Sequence, residues 1–216
     1  AVFVTRASAR RLSAAGLEEA ASALVQLEPR FAVALDIAGA PSLRDRPDGF
    51  WALVKSIVSQ QLSVQAAATI AGRLESAGLT VPEAVQAASD DTLRGMGLSR
   101  QKVRYVRGVA EANVDFVALR DLPTAEVVDT LVALPGIGRW TAEIYCMFAL
   151  QHADAFAAGD LALQEGARML LGLNDRPTER QLRTLAEAWS PHRGTAARLL
   201  WAYYGAAKRR EGTPST

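Results

Sequence analysis

The sequence is short of the residues that build cross-links and metal centres. Its 216 residues include one cysteine, Cys146, and two histidines, His152 and His192. A single thiol excludes an internal disulfide and a four-cysteine iron–sulfur cluster within the chain, and it fits a reducing compartment. The histidines lie far apart with no ligand-like spacing, which argues against zinc. No apolar run approaches the roughly 18 residues of a membrane span. The run near Tyr145 is bounded by Glu143 and stops at Gln151. Arg6, Arg10 and Arg11 are not followed by the apolar stretch of a secretory signal, so the expectation is a cytoplasmic chain with no membrane partner. Alternating β-branched runs between hairpin turns are missing, and so is any repeat of solenoid length. Net charge is nearly absent at +1, so attraction to a polyanion would rest on a local face. The segment 100–107, with Arg100, Lys102, Arg104 and Arg107, offers one; it also fits an ordinary solvated helix face.

What the chain does have is apolar residues at helical spacing. Half of it is apolar and 22% is charged, enough for a packed core. One stripe is Leu17, Ala21, Leu24 and Leu27, a second Phe50, Leu53, Val54 and Ile57, and a third Val64, Ala67, Ala68, Ala71 and Leu74. Gly78 and Gly97 read as helix stops, and Pro82 suits a first helical turn. Further helices are expected over 101–113, 124–134, 139–150, 161–171, 178–189 and 194–209, with short links between them. The tail 211–216 is polar and expected to fray. The fold class is all-α, with about a dozen helices.

Between two of these helices stands Leu134-Pro135-Gly136-Ile137-Gly138-Arg139-Trp140-Thr141-Ala142. Two glycines around one aliphatic residue allow a tight reversal in which backbone N–H groups approach a ligand. The next helix would then present its N-terminal donors and positive dipole end to a phosphate, a contact that reads no base sequence. A plain helical hairpin with glycine caps would also satisfy a bare Gly-x-Gly. Further on, Asp160 opens a new helix. An aspartate there is a favoured N-cap, and it is also an acid that chemistry could use.

The string 134–142 followed by Gly159-Asp160-Leu161 resembles the signature of the helix-hairpin-helix base-excision DNA glycosylases. The similarity is greatest to the alkylation-damage branch, the bacterial 3-methyladenine DNA glycosylase II family and its compact yeast relatives. It extends from about Phe50 to Ala202. Ile57-Val58-Ser59-Gln60-Gln61-Leu62-Ser63 resembles that family's helix junction beside the DNA, and Trp189-Ser190-Pro191-His192-Arg193 with Leu200-Trp201 resembles its C-terminal pattern. The resemblance implies a two-lobed helical glycosylase fold: an inner lobe over 64–156 carrying the hairpin (about 124–150), and a second lobe built from 1–63 and 157–216. The long bacterial relatives carry an extra β-rich N-terminal domain; the sequence before Phe50 is too little for one and reads as helix, so the compact form, with no N-terminal β domain, is expected.

The activity it implies is hydrolysis of the bond between a deoxyribose and an alkylated base flipped out of double-stranded DNA, leaving an abasic site. The alternatives are a non-catalytic DNA clamp and a glycosylase for deaminated or mismatched bases. Asp160 would be the catalytic carboxylate, beside a cationic transition state; the nearby Asp154 fits the pattern less well. Lyase relatives carry a lysine after the hairpin arginine, an amine nucleophile. Here Trp140 stands in that place, which implies a monofunctional hydrolase and an indole face for a cationic base. Phe50, Ile144 and His192 are the other base-pocket candidates. Gln61, with Leu62 second, would fill the gap left by the flipped base. Gly136, Gly138, Arg139 and Thr141 would meet phosphates. Carbonyls of Val132, Leu134 and Ile137 match positions that hold a monovalent cation, Na or K, in relatives; no cofactor is otherwise implied. The implied partner is damaged DNA, bound by a monomer in the cytoplasm or at a bacterial nucleoid.

Overall fold

A computed structural model describes residues 9–43 and 46–211. Arg6 and, except for Glu211, the polar tail lie outside the described residues. The described residues form thirteen helices and one isolated antiparallel bridge, Arg11 with His152. No helix among them is long and apolar enough to cross a membrane. The described residues divide into two compact units, one spanning 46–145 and the other 9–43 with 146–211. These boundaries are offset from the expected 64 and 156. Helix α3 (Phe50–Ser59) packs on α4 (Val64–Ser76) and α7 (Arg100–Glu111) and so belongs with the first unit. The segment 151–153 is tied by backbone bonds to 10–12 in the second, with Leu12 N–H on the Gln151 carbonyl and Ala153 N–H on that of Arg10.

In the first unit α7 is the hub. It packs on α3, on α5 (Pro82–Ala87) and on α6 (Asp90–Gly95). Ser99 caps its first turn by accepting from the Lys102 N–H, and Val103, Val106, Val109 and Ala110 form its buried stripe. The supposed basic face is therefore split. Arg100 and Arg104 are exposed, but Arg107 pairs with Asp90 at 2.6 Å and Lys102 turns toward the end of α3. The third apolar stripe is also corrected: Val64 is 89% exposed, and of α4 only Leu74 is buried. A side chain as small as alanine's gains little from burial, so spacing alone overstated that face. A short helix α8 (Phe116–Leu119) precedes α9 (Thr124–Val132) and α10 (Arg139–Phe148), and the division between units falls within α10.

In the second unit the hub is α13 (Arg193–Glu211), packed on α1 (Ala14–Leu27), α2 (Phe31–Ala38) and α11 (Leu161–Leu171), with α12 (Glu179–Glu187) against α11. Residues 194–200 of α13 are buried without interruption, as befits a helix surrounded on all sides. Small residues make that possible. A Cβ on Gly166 would stand 2.8 Å from the Leu200 carbonyl oxygen, so glycine sets the close approach of α11 to α13. Trp189 is buried with its ring edge-on to Phe31 at 5.2 Å and to Phe156 at 6.0 Å. Losing such a ring costs about 3–5 kcal/mol.

His152 is wholly buried beside this bridge, and burial, reinforced by the charge of Arg11, pushes its pKa down to about 4. The unfolded chain takes up a proton near the ordinary histidine value of 6.5 that the folded chain refuses until about 4. Stability is therefore complete above pH 6.5 and falls as the pH drops toward 4, by up to about 3 kcal/mol from this residue. Urea unfolding at a series of pH values should show this slope, and His152→Gln should flatten it. A slope unchanged in the variant would refute the assignment.

Candidate functional site

The first part of the site is the turn between α9 and α10. Its apolar residues anchor it: Leu134 and Ile137 are buried, and Ile137 N–H donates to the Leu134 carbonyl at 3.2 Å. Pro135 lies against α7, where a Cβ on Gly108 would meet its ring at 2.2 Å. Gly136 has φ +78°, and a Cβ there would stand 2.3 Å from the Tyr105 ring. Glycine is thus required at 136 for both conformation and space. Gly138 differs: its φ is not positive, it is exposed, and an added Cβ would meet nothing within 4 Å. Nothing in the protein demands glycine at 138.

The residues after the turn separate by exposure. Arg139 is largely exposed and reaches the buried Glu143 at 2.9 Å, and Trp140 is 48% exposed. Thr141 is buried, which removes its side chain from phosphate contact, because position 141 falls on the inward face of α10. Ile144, one turn beyond Trp140, is half-buried. Phe50 is 6% exposed in the core at the start of α3, so it packs rather than lining an open pocket. The carbonyls proposed to hold a cation leave no side-chain mark. Leu134 O already accepts one hydrogen bond from Ile137 and retains a second lone pair. Among the described residues no cluster of acidic, histidine or cysteine side chains forms a metal site.

Beside the turn, in the same unit, lies the junction of α3 and α4. Gln61 has φ +55° and is exposed, as is Leu62. Gln60 Nε2 donates to the Gly136 carbonyl at 2.9 Å, so the expected wedge residues adjoin the hairpin through their neighbour. Lys102 Nζ donates to the carbonyls of Val58 and Gln60 at 2.7 and 2.8 Å. Sequence reasoning missed Gln60, Lys102 and Gly108, because their partners lie far away in the chain.

A second candidate site is Asp160, in the other unit. It caps α11, and its Oδ1 accepts from the Ala162 and Leu163 amides at 2.9 and 3.0 Å. The Trp201 indole N–H donates to the same oxygen at 3.0 Å. The cap and the acid are thus one residue with a fixed carboxylate. The Trp201 ring stacks on Phe148 at 5.4 Å with 28° between planes, and the Arg198 guanidinium lies 5.0 Å from the Phe148 ring centre. Arg198 is buried and donates to the carbonyls of Met147 and Gly194 and to Gln151 Oε1; burial pulls its pKa down to about 10. The Leu200-Trp201 pair was visible in the sequence, but its bond to Asp160 was not.

Asp154 is accounted for otherwise. Arg193 donates to both of its oxygens at 2.9 and 2.7 Å, and Ser190 Oγ donates at 2.8 Å. Burial pushes its carboxyl up, but these bonds and the Arg193 charge outweigh it and hold it below the ordinary value. It latches α13 to the segment before α11. His192, half-buried, has Nδ1 3.3 Å from the Arg10 guanidinium; burial and then that charge lower its pKa.

Residues 54–192 match the model of the HhH-GPD superfamily of base excision DNA repair proteins. The chain is 29% identical over 166 residues to DNA-3-methyladenine glycosylase 1 of Schizosaccharomyces pombe, covering 73% of each chain. Among solved structures, DNA-3-methyladenine glycosidase from Bacillus halodurans is similar with a TM-score of 0.80 and 35% identity, over 91% of this chain and 93% of that one. The 3-methyladenine DNA glycosylase of Schizosaccharomyces pombe in complex with abasic DNA gives 0.72 and 27%, over 85% and 95%.

The two glycines of the turn should respond differently. Gly136→Ala forces a β-carbon into Tyr105 at positive φ and should lower stability by about 2 kcal/mol or more. Gly138→Ala should melt like the parent yet bind duplex DNA several-fold more weakly. Calorimetry and fluorescence anisotropy check this; equal effects of the two variants on melting would refute it.

Proposed function

We propose that this chain, which belongs to the HhH-GPD superfamily of base excision DNA repair proteins, is a monofunctional DNA N-glycosylase that releases alkylated bases of the 3-methyladenine type. The observation that carries the reading is the Asp160 carboxylate, held by two backbone amides and the Trp201 indole at one oxygen. The names of the relatives agree with it.

The chemistry follows from the residues. The hairpin around Gly138 grips a phosphate of double-stranded DNA through backbone donors, with Arg139 adding charge. The damaged nucleotide leaves the stack, and Gln61, with Leu62 next to it, enters the space. Trp140, 48% exposed, offers an indole to a purine made cationic by alkylation, with Ile144 one turn beyond it; His192 is a further candidate for base contact. The C1′–N bond breaks and its electron pair leaves with the base, which departs neutral. Positive charge builds on the sugar, where the fixed Asp160 carboxylate stabilises it. A water oxygen then bonds to C1′, and its proton passes to the carboxylate. The product is an abasic site.

The absence of an amine after the hairpin sets the reaction type. Trp140 replaces the lysine that would attack C1′, and Lys102 is engaged by two carbonyls. No Schiff base forms and no strand is cut. A monovalent cation on the carbonyls of Val132, Leu134 and Ile137 would stiffen the hairpin and take no part in the chemistry. We infer action as a monomer in a reducing, nucleic-acid-containing compartment.

Asp160→Asn separates charge from fold. Asparagine caps a helix as well as aspartate does, so melting should change by less than about 1 kcal/mol. Base release should fall by roughly 10²-fold or more while DNA affinity persists. Chromatography of bases freed from methylated duplex reads the result. Release at the parental rate would overturn the catalytic role of Asp160, and no alkyl purine from the parent would overturn the substrate class.

Trp201→Phe keeps the stack on Phe148 and removes only the indole donor. It should slow release about tenfold with little change in DNA affinity, given the 1.5–3 kcal/mol typical of a hydrogen bond to a charged group. An unaltered single-turnover rate would show that the third donor is dispensable.

A further inference from the structure

We propose that Lys102 is a positioning residue for base flipping: with Gln60 it clasps the α3–α4 turn to the hairpin and holds Gln61 in its left-handed conformation. This rests on the reading above in which Gln61 enters the duplex.

The turn needs an external hold. Gln61 sits at φ +55°, where a residue with a β-carbon is strained unless its surroundings enforce the conformation. Packing does not enforce it. Gln61 is exposed, Leu62 is 39% exposed and Val64 is 89% exposed, so this stretch contributes almost nothing to the core.

The hold is polar instead. The Lys102 ammonium stands at the C-terminal end of α3 and donates to the Val58 and Gln60 carbonyls, where the helix leaves acceptors without intrahelical partners. A cation there also complements the negative end of the helix. Gln60 extends the chain of contacts by donating to the Gly136 carbonyl. Its side chain therefore grips the hairpin while its carbonyl is gripped by Lys102. Gln61, the next residue, is placed by both bonds.

The lysine is itself well anchored. Its backbone amide is capped by Ser99, and Val103 beside it is buried. Burial of its side chain holds the ammonium below its ordinary range, a cost accepted only where the acceptors are good. Together Gln60, Gln61, Leu62, Lys102, Tyr105 and Gly136 line one cleft of about 480 Å³. The wedge turn and the phosphate-binding turn thus form one assembly, whose joint is made by Lys102 and Gln60. A side chain that must enter a duplex beside a gripped phosphate needs that fixed spacing.

The test uses the full chain and a duplex carrying 2-aminopurine beside an alkylated base; its fluorescence rises when the neighbour unstacks. Lys102→Met keeps the apolar stem and removes the donors. It should lower the fluorescence rise and the single-turnover excision rate about tenfold, while affinity for undamaged duplex stays within about twofold. Gln60→Ala cuts the other side of the clasp and should behave alike, so the idea survives a poorly folded Lys102 variant. The diagnostic is suppression. Asparagine tolerates the left-handed region better than glutamine, so Lys102→Met should cost far less in a Gln61→Asn background than in the parent. Wild-type flipping in Lys102→Met and in Gln60→Ala, or an equal loss from Lys102→Met in both backgrounds, overturns the proposal. Gln61→Ala reads the premise separately: if it flips normally, Gln61 is not the wedge, whatever Lys102 does.

Discussion

The hydrogen bond from the Trp201 indole to Asp160 is the constraint to which the second unit is built. An aspartate at a helix start can be held by the amides of that helix alone. Here a third donor comes from another helix, 41 residues away, so the carboxylate is tied to the packing of α11 against α13. That packing depends on Gly166, whose missing side chain lets the Leu200 backbone approach. Any β-carbon there would push α13 outward and carry the indole away from the acid. Below the indole, the Phe148 ring and the Arg198 guanidinium continue the stack, and Arg198 is fixed by the carbonyls of Met147 and Gly194. A guanidinium spread flat over a ring loses less on burial than a compact ammonium would.

Asp154 and Asp160 show how environment divides two acids of one segment. Both follow the same buried stretch, and both accept several hydrogen bonds. Asp154 faces a guanidinium in bidentate contact, which neutralises it and makes it a fastener. Asp160 accepts at one oxygen from two amides and an indole, donors that orient that oxygen. On the proposed reading, an acid that stabilises a developing cation needs such orientation. The distinction lies in the partners, and the partners come from distant parts of the chain.

Much of the architecture was legible in the sequence, because helix formation is local. Helix α11 spans Leu161–Leu171 as periodicity predicts, and α10 begins at Arg139 as the hairpin string implies. Apolar spacing overstated one face of α4: of the expected stripe Leu74 is buried and Ala67 and Ala71 are half-buried, but Val64 and Ala68 are exposed. Thr141 and Phe50 were misplaced for a related reason. A motif marks positions near a site, but burial decides which side chains can meet a ligand. The glycines looked equivalent as letters, yet only Gly136 answers to the protein's own geometry. Lys102 read as part of a basic face because its carbonyl partners, more than 40 residues earlier, leave no trace in local spacing. The lobes implied by the resemblance were bounded at 64 and 156, whereas the compact units divide near 46 and 145.

The two turns of the first unit are held by opposite means, and this bears on what each can tolerate. The hairpin is held by apolar fit: Leu134 and Ile137 are buried, and Pro135 and Gly136 sit against α7 with no room to spare. Its side chains are therefore part of the fold. The α3–α4 turn is held by hydrogen bonds to backbone carbonyls, Val58 and Gln60 from Lys102 and Gly136 from Gln60. Those bonds fix the path of the chain and ignore the identity of the exposed side chain at 61. On the proposed reading, a change at 61 would thus alter what enters the duplex while leaving core packing intact, provided the new residue accepts positive φ. In that reading the turn that grips phosphate is built into the core, and the turn that meets a base is carried on a backbone that tolerates a change of side chain.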